Sequence, residues 1–238
     1  MKAAILCGGQ GTRFRQVSEL IPKPMAPLGD CPIVWHIMKI YAAHGIRDFV
    51  LLLGYKGDVI RDYFTKHNDE GWNIELVDTG EKAMTGARVW RARKHLEGEK
   101  SFCLTYGDGV GDIDITALQK FHTGHGKSAT LTGVHPPGRF GELTVKNGVV
   151  TAFNEKPERM THYINGGYFI FNRDVFDRYL NDREDLILER DPLQHLATDG
   201  QLMMYPHESF WQHMDTPAEF DQLNNLWSSG RAPWKIWK

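Results

Sequence analysis

Short apolar runs alternate with longer amphipathic segments along the first hundred residues of the chain. The runs predict four strands, over Ala3–Cys7, Phe49–Leu53, Asn73–Val77 and Ser101–Tyr106. The segments between them predict three helices, over Pro32–His44, Asp58–Lys66 and Thr85–Leu96. Strands that alternate with helices build a mainly parallel sheet with helices on both faces. We therefore predict an α/β fold with a doubly wound, Rossmann-like mixed sheet.

The pattern changes in the second half of the chain. A helix is predicted over Ile115–His125, and strands are predicted over Ala129–Val134 and Ile164–Phe171. Two further runs, Phe140–Val145 and Val149–Phe153, flank an Asn-Gly pair, which is the strongest short signal for a β-hairpin. We expect this half to form a small antiparallel subregion, a platform packed beside the first sheet.

The C-terminal region begins with a helix signal. Thr216, Pro217 and Glu219 form a capping box with proline at the first helical position, which predicts a helix that ends near Trp227. Beyond it, Trp234 and Trp237 make the tail aromatic. These rings belong either to the core or to a contact between subunits, and the subunit contact is slightly favoured.

Composition narrows the class of protein. The chain has 238 residues, 41% hydrophobic and 24% charged, as in an ordinary soluble globular protein. A formal net charge of −2 gives no excess of positive charge of the kind that binds nucleic acid. The cysteines, Cys7, Cys31 and Cys103, form no CxxC pair, and no run approaches the ~18 apolar residues of a membrane span. We expect a cytoplasmic protein without membrane or nucleic-acid partners.

A glycine-rich loop follows the first strand. Gly8, Gly9 and Gly11 precede Thr12 and Arg13, whose hydroxyl and guanidinium suit phosphate oxygens. The loop lacks the third glycine of a dinucleotide fingerprint and the Gly-Lys-Ser/Thr ending of a P-loop. It is either an anion-binding loop or an ordinary turn after a strand.

Three further positions carry candidate chemistry. Lys23 stands between two prolines, so its ammonium is presented by a rigid backbone. Asp108 lies between two glycines at a predicted strand end, and Asp215 lies just before the C-terminal helix. Two such carboxylates, completed by phosphate oxygens, suit Mg²⁺. The alternative for Asp215 is to cap the helix. Lys156 is a hairpin-end cation or a solvated lysine.

The histidines offer no metal site. His36, His44 and His95 have no ligand spacing and are predicted to lie on helix faces. No arrangement typical of a serine or cysteine nucleophile emerges.

Five motifs, taken in order, resemble the sugar-1-phosphate nucleotidyltransferases. They are Leu6–Arg13, Pro22–Pro24, Tyr106–Gly109, Glu155–Pro157 and Ile164–Gly167. Further segments are similar to the branch of that family that transfers cytidylyl groups to glucose 1-phosphate, and they include Val77–Gly80, Met84–Arg88 and Phe210–Thr216. The segment between Tyr63 and Asn73 is shorter than in that family.

The resemblance implies a GT-A-like nucleotidyltransferase fold and a reaction. A sugar 1-phosphate attacks the α-phosphate of CTP in line, releasing pyrophosphate and giving a CDP-sugar. Residues 1–112 would form the nucleotide-binding half of a single domain, and residues 113–238 the sugar-binding half and C-terminal helix. The acceptor is expected to be glucose 1-phosphate, another sugar phosphate or a phosphorylated polyol. The alternatives are a relative that uses UTP, dTTP or GTP and a non-catalytic nucleotide-sugar sensor. A homo-oligomer is also expected.

The resemblance also implies roles for individual residues. Those near the nucleotide would be Leu6, Gly8, Gly9, Gly11, Thr12, Arg13, Lys23, Thr85, Gly86, Arg88, Gly107 and Asp108. Those near the sugar phosphate would be Tyr106, Glu155, Lys156, Asn165, Gly166 and Tyr168. Catalysis would rest on Lys23, Arg13 and Asp108, and Mg²⁺ would be held by Asp108 and Asp215.

Overall fold

The computed structural model describes residues 1–9, 11, 21–138, 141–155 and 162–237. Its strands are β1 (Ala3–Leu6), β2 (Pro27–Leu28), β3 (Cys31–Pro32), β4 (Asp48–Leu53), β5 (Asn73–Asp78), β6 (Ser101–Tyr106), β7 (Gly109–Gly111), β8 (Ala129–Val134), β9 (Glu142–Lys146), β10 (Val149–Asn154), β11 (Ile164–Asn172), β12 (Leu202–His207) and β13 (Trp211–His213). Its α-helices are α1 (Ile33–Ala43), α2 (Gly57–Lys66), α3 (Thr85–Arg91), α4 (Ile115–His125), α5 (Val175–Arg178), α6 (Asp191–Thr198) and α7 (Pro217–Ser228).

A seven-stranded sheet in the order β12-β8-β11-β6-β1-β4-β5 carries the fold. The strands β6, β1, β4 and β5 run parallel to one another, as do β8 and β12. Strand β11 lies antiparallel to both β6 and β8, so it opposes the other six strands. The prediction of a doubly wound, mainly parallel mixed sheet is confirmed.

The predicted separate platform in the second half is wrong. Strands β8, β11 and β12 extend the first sheet, and the small antiparallel subregion is the β9–β10 hairpin. Ala129 to Val134 and the middle of β11 are largely buried, as expected for strands inside a sheet. Periodicity indicates that such strands are buried but not which strand each one pairs with. Strand β12 escaped prediction, and its Pro206 is tolerated because β12 lies at the sheet edge.

The local signals for turns and caps are confirmed. Asn147 and Gly148 both have positive φ, 51° and 81°, as the tight turn between β9 and β10 requires. At the start of α7, the Glu219 backbone N–H donates to Thr216 Oγ1 at 3.3 Å, and the Thr216 N–H donates to Glu219 Oε2 at 2.9 Å. The predicted helix over Thr85–Leu96 divides into α3 and a 3-10 turn over Ala92–Leu96.

Alternate side chains of the sheet enter two cores. Ala3 and Ile5 of β1 face a core that receives side chains from α1, α2, α4 and α7. Ala4 and Leu6 face a second core shared with α3, α5 and α6. This arrangement places helices on both faces of the sheet, as predicted. Among the helices of the described residues, none combines the length and the apolar character needed to cross a membrane.

The aromatic tail belongs to the first core. Trp234 is fully buried, its ring stacks on Phe210 at 5.7 Å, and its indole N–H donates to His36 Nδ1 at 3.4 Å. Trp227 and Trp237 are partly buried against the same core. The favoured subunit contact is therefore wrong for Trp234, because an irregular aromatic tail does not by its sequence indicate which surface it will cover.

Candidate active site

The glycine loop and the loop after β6 leave neighbouring strands at the same edge of the sheet. Strands β1 and β6 are parallel partners, with Leu6 opposite Tyr106. Their carboxyl ends therefore open into one crevice, which is where open α/β sheets bind ligands. A Cβ added at Gly107 would lie 2.7 Å from the carbonyl oxygen of Leu6, so glycine is required for this close approach.

A cavity of 710 Å³ occupies this crevice. Of the predicted nucleotide-site residues, it is lined by Leu6, Gly8, Gly9, Gly11, Lys23, Thr85, Arg88, Gly107 and Asp108. Tyr106 and Asp215 also line it, together with Pro24 and Met84 from the quoted motifs. Glu81, Lys82, Ala83 and Glu189 complete the lining, and the sequence did not suggest these four. The volume falls in the range typical of small-molecule sites.

Lys23 joins the two predicted metal carboxylates. It opens a 3-10 turn over Lys23–Met25, and its ammonium donates to Asp108 Oδ2 at 2.5 Å and to Asp215 Oδ1. Lys23 is 7% exposed. Burial disfavours the charged ammonium, but the two carboxylates outweigh burial and raise the pKa of Lys23 above its ordinary value. The cluster therefore holds a permanent positive charge between two carboxylates.

A second strand pairing brings Asp108 and Asp215 together from positions far apart in the chain. Strand β7 follows Asp108, strand β13 precedes Asp215, and the two strands pair antiparallel with Gly109 opposite His213. The Met214 backbone N–H also donates to the Asp108 carbonyl oxygen at 2.9 Å. The short strands therefore place the two carboxylates on one side of Lys23.

Asp215 does not cap the following helix. That position belongs to Thr216, while the Asp215 backbone N–H donates to Glu219 Oε2 at 2.7 Å. The alternative interpretation of Asp215 as a helix cap is wrong, and its side chain faces the cavity. Glu219 therefore both completes the capping box and holds the backbone of Asp215.

Asp108 and Asp215 suit a divalent cation that takes most of its ligands from water and substrate phosphates. The oxygens of Asp108 and Asp215 converge on one cationic group, the ammonium of Lys23. Within the described ranges, no cluster of three or more histidine, cysteine or carboxylate side chains could hold a metal. Mg²⁺ commonly binds through one or two carboxylates with waters and substrate phosphates, so this donor set suits it.

Arg88 lies beside the glycine loop, but its guanidinium is already engaged. Its Nη2 donates to the Gly8 carbonyl at 2.9 Å, and its Nη1 donates to the carbonyls of Leu53 and Gly80 at 3.0 and 2.8 Å and to the hydroxyl of Thr79. Burial, followed by the nearby Arg91, lowers the pKa of Arg88. Through these hydrogen bonds Arg88 links the glycine loop, the end of β4 and the loop after β5.

Gly86, another predicted nucleotide-site residue, packs away from the cavity. Its N–H donates to the Leu186 carbonyl at 2.9 Å, and an added Cβ would lie 2.9 Å from that oxygen. Glycine here allows the start of α3 to contact the segment before α6.

A second cavity of 250 Å³ adjoins the first and shares Tyr106, Asp108 and Asp215 with it. The predicted sugar-site residues Asn165, Gly166 and Tyr168 line this cavity, together with Trp211 and His213. The Trp211 indole N–H donates to the Gly166 carbonyl at 2.8 Å. The two cavities thus meet at the Lys23 cluster.

Tyr168 lines the second cavity, but its hydroxyl is hydrogen-bonded within the protein. The hydroxyl donates to the Gly109 carbonyl at 3.0 Å, and the residue is 1% exposed. Burial, and then the nearby Asp108, raises the pKa of Tyr168. Tyr168 therefore supports the floor of the second cavity as a neutral group.

One predicted sugar-site residue lies apart from both cavities. Glu155 is exposed at the end of β10 and lines neither cavity. Thr12, Arg13 and Lys156 lie outside the described residues. The structure instead adds Glu189, in the irregular segment before α6, for which the sequence offered no periodic or motif signal.

Comparisons with known proteins identify the family of this chain. The profile of a family described as nucleotidyl transferase matches residues 2–225. Glucose-1-phosphate cytidylyltransferase of Salmonella typhimurium is 45% identical over 259 residues, covering 100% of both chains. A Bacillus subtilis relative, described as a probable glucose-1-phosphate cytidylyltransferase, is 41% identical over 257 residues with the same coverage. The alignments exceed the 238 residues of this chain, so these relatives carry residues that it lacks.

The fold is also shared with a solved structure. HddC from Yersinia pseudotuberculosis superimposes with a TM-score of 0.77 at 24% sequence identity, covering 95% of this chain and 99% of HddC. The family match, the relatives of equal extent and the shared fold agree with the resemblance that the motifs indicated. This chain belongs to the nucleotidyl transferase family.

Proposed function

We propose that this enzyme transfers a cytidylyl group from CTP to a sugar 1-phosphate, with α-D-glucose 1-phosphate as the expected acceptor. The products are a CDP-sugar and pyrophosphate. The observation that carries the proposal is the Lys23 ammonium, held between Asp108 and Asp215 where two cavities meet. The choice of CTP and glucose 1-phosphate rests on the relatives that are 41% and 45% identical over their full length.

The chemistry requires no protein nucleophile. An oxygen of the sugar phosphate attacks the α-phosphorus of CTP, and the bond from that phosphorus to the pyrophosphate oxygen breaks. Transfer of this kind depends on positioning and on neutralisation of the charge that develops on the phosphate oxygens. Lys23 supplies a fixed positive charge for this purpose, since its pKa is raised and it stays protonated.

Mg²⁺ would be held by Asp108 and Asp215 together with phosphate oxygens of the substrates. Bound there, it would neutralise phosphate charge and orient the phosphates for in-line attack. The nucleotide would occupy the larger cavity, against the glycine loop and Thr85, and the sugar phosphate would occupy the smaller one. Thr12 and Arg13 are proposed to bind the nucleotide phosphates, and Lys156 is proposed to bind the sugar phosphate.

The direct test is turnover with defined substrates. Purified protein is incubated with Mg²⁺, glucose 1-phosphate and each of CTP, UTP, dTTP, GTP and ATP, and pyrophosphate release is followed. We expect CTP to give the highest kcat/KM. A preference for another nucleotide would overturn the cytidylyl assignment while keeping the family reaction.

The acceptor is tested separately at saturating CTP. Glucose 1-phosphate is compared with galactose 1-phosphate, mannose 1-phosphate and a phosphorylated polyol such as glycerol 3-phosphate. We expect glucose 1-phosphate to be used best. Absence of pyrophosphate release with every acceptor would contradict the enzyme function and favour a nucleotide-sugar sensor, which nucleotide binding without turnover would identify.

A further inference from the structure

Glu189 joins two side chains that belong to different elements of the site. Its Oε1 accepts from the Tyr106 hydroxyl at 2.5 Å, and its Oε2 accepts from the Thr85 hydroxyl at 2.7 Å. Tyr106 is the last residue of β6, and Thr85 is the first of α3. One carboxylate therefore holds both side chains at the wall of the larger cavity.

The hydrogen bonds continue in both directions. The Thr85 hydroxyl accepts from the Leu188 backbone N–H at 2.9 Å, and the Tyr106 hydroxyl accepts from the Asn165 side-chain amide at 3.1 Å. Asn165 Oδ1 in turn accepts from the Gly167 N–H at 2.9 Å. Thr85 and Glu189 line the larger cavity, Asn165 lines the smaller, and Tyr106 lines both. The chain of bonds thus runs from one cavity into the other.

The Glu189 carboxylate determines the direction of these bonds. It can only accept, so the Thr85 and Tyr106 hydroxyls must both point their hydrogens at it. The oxygen lone pair of Tyr106 is then available to Asn165. Burial, and then the charge of Glu189, raises the pKa of Tyr106, so this hydroxyl stays protonated and remains a donor.

We propose that Glu189 is a positioning residue: it orients the Tyr106 hydroxyl and, through it, the Asn165 amide in the smaller cavity, where the sugar phosphate is proposed to bind. The inference rests on the proposed function, because it concerns the same two cavities. Glutamine has one acceptor oxygen and an amide group with two N–H donors in place of two acceptor oxygens, so in Glu189→Gln only one end of the side chain can accept. The substitution preserves the size of the side chain, and the hydroxyl that faces the amide group loses its acceptor.

The kinetic test compares Glu189→Gln with Glu184→Gln. Glu184 is an exposed carboxylate in the same segment, and it lines neither cavity. In Glu189→Gln we expect KM for glucose 1-phosphate to rise about tenfold, the effect of losing a hydrogen bond to a charged group, with a smaller change in KM for CTP. Tyr106→Phe should raise the same KM, and the double variant should cost less than the product of the single effects.

A purely structural role for Glu189 has a different signature. It would lower the thermal midpoint and the active fraction while leaving both KM values unchanged, and that result would overturn the proposal. Equal kinetics of Glu189→Gln and wild type would also overturn it. If the fold-change in KM of the double variant equals the product of the fold-changes of Glu189→Gln and Tyr106→Phe, the carboxylate does not act through Tyr106.

A second measurement does not depend on the substrate assignment. The side-chain amide resonances of Asn165 are assigned in ¹⁵N-labelled protein by their loss in Asn165→Asp, without any substrate. We expect them to shift in Glu189→Gln and in Tyr106→Phe but not in Glu184→Gln. Unshifted resonances in Glu189→Gln would contradict the positioning role, whereas failure of wild type to use CTP would contradict only the proposed function.

Discussion

The Lys23 cluster (Lys23, Asp108 and Asp215) and the β9–β10 hairpin both carry motifs of the same family, but they differ in burial and in the contacts that fix them. Lys23 and Asp215 are 7% and 9% exposed and are fixed by hydrogen bonds and by the pairing of β7 with β13. On the hairpin, Leu143 and Phe153 are 54% and 64% exposed, although both are apolar. Glu155, at the end of that hairpin, lines neither cavity.

The difference shows what a motif does and does not specify. A motif identifies a side chain that suits a reaction, but its position comes from the contacts around it. The cluster draws on three distant parts of the chain, and Lys23 and Asp215 are buried, so its geometry is preorganised for charge stabilisation. The hairpin is built from a local turn and one pair of strands. We therefore expect substitutions in the cluster to alter chemistry and substitutions on the hairpin face to alter little.

The largest effect is expected from Lys23→Ala. Loss of the ammonium removes the positive charge that we propose acts on the reacting phosphate, and it leaves Asp108 and Asp215 without their shared partner. We expect kcat to fall about a hundred- to thousandfold, the usual cost of losing one electrostatic contact to a transition state. Pyrophosphate release measures turnover, and circular dichroism checks the fold.

The matched control is Lys39→Ala. Lys39 pairs with Glu70 at 2.9 Å and lines neither cavity, so its loss should leave kcat within about twofold of wild type. A folded Lys23→Ala protein with near-normal turnover would remove Lys23 from the reaction.

Asp108→Asn tests the proposed Mg²⁺ site. Replacing one of two carboxylates with a neutral amide weakens a hard cation site, so we expect the Mg²⁺ concentration for half-maximal rate to rise at least about tenfold. A Mg²⁺ titration at saturating substrates measures it. Asp114→Asn is the control, because Asp114 is the N-cap of α4 and asparagine caps equally well. Identical titration curves for Asp108→Asn and wild type would exclude Asp108 as a ligand.

The support beneath Asp215 can be removed without touching its side chain. Glu219→Ala eliminates the acceptor for the N–H groups of Asp215 and Thr216, so we expect about 1–2 kcal/mol lower free energy of unfolding. Turnover should also fall, because the backbone of Asp215 is released. Urea unfolding and steady-state kinetics provide the two readouts.

Thr216→Ala separates helix capping from this support. It removes one cap bond and should cost about 1 kcal/mol of stability with turnover preserved. Equal loss of turnover in the Thr216→Ala and Glu219→Ala variants would show that Glu219 acts only through the helix cap.

The smallest effect is expected on the hairpin. Phe153→Ser replaces a mostly exposed ring, so the free energy of unfolding should stay within about 0.5 kcal/mol of wild type and kcat should be unchanged. The contrasting variant is Phe169→Ala in β11, which removes a fully buried ring and should cost about 3–5 kcal/mol. A large loss of stability in Phe153→Ser would show that the hairpin face is covered in solution.

Local patterns were enough to predict most elements of this protein. The strands and helices that were predicted between Ala3 and Tyr106 lie within a few residues of their predicted bounds, because side-chain periodicity and turn chemistry act over short distances. The two-residue strands β2 and β3 were not predicted. The Asn147-Gly148 turn and the capping box at Thr216 were predictable for the same reason. Missed elements, such as β12 and β13, are short or irregular in pattern, so their pairing depends on surfaces supplied elsewhere.

The sequence by itself determined the inventory of the site: a glycine loop, a constrained lysine and two carboxylates suited to phosphate chemistry. Only the tertiary structure decided that Lys23 bridges Asp108 and Asp215, that Arg88 is engaged by backbone carbonyls, and that Glu189 joins Thr85 to Tyr106. It also placed Trp234 in the core. These outcomes depend on contacts between residues far apart in the chain, and such contacts leave no periodic signal in the sequence.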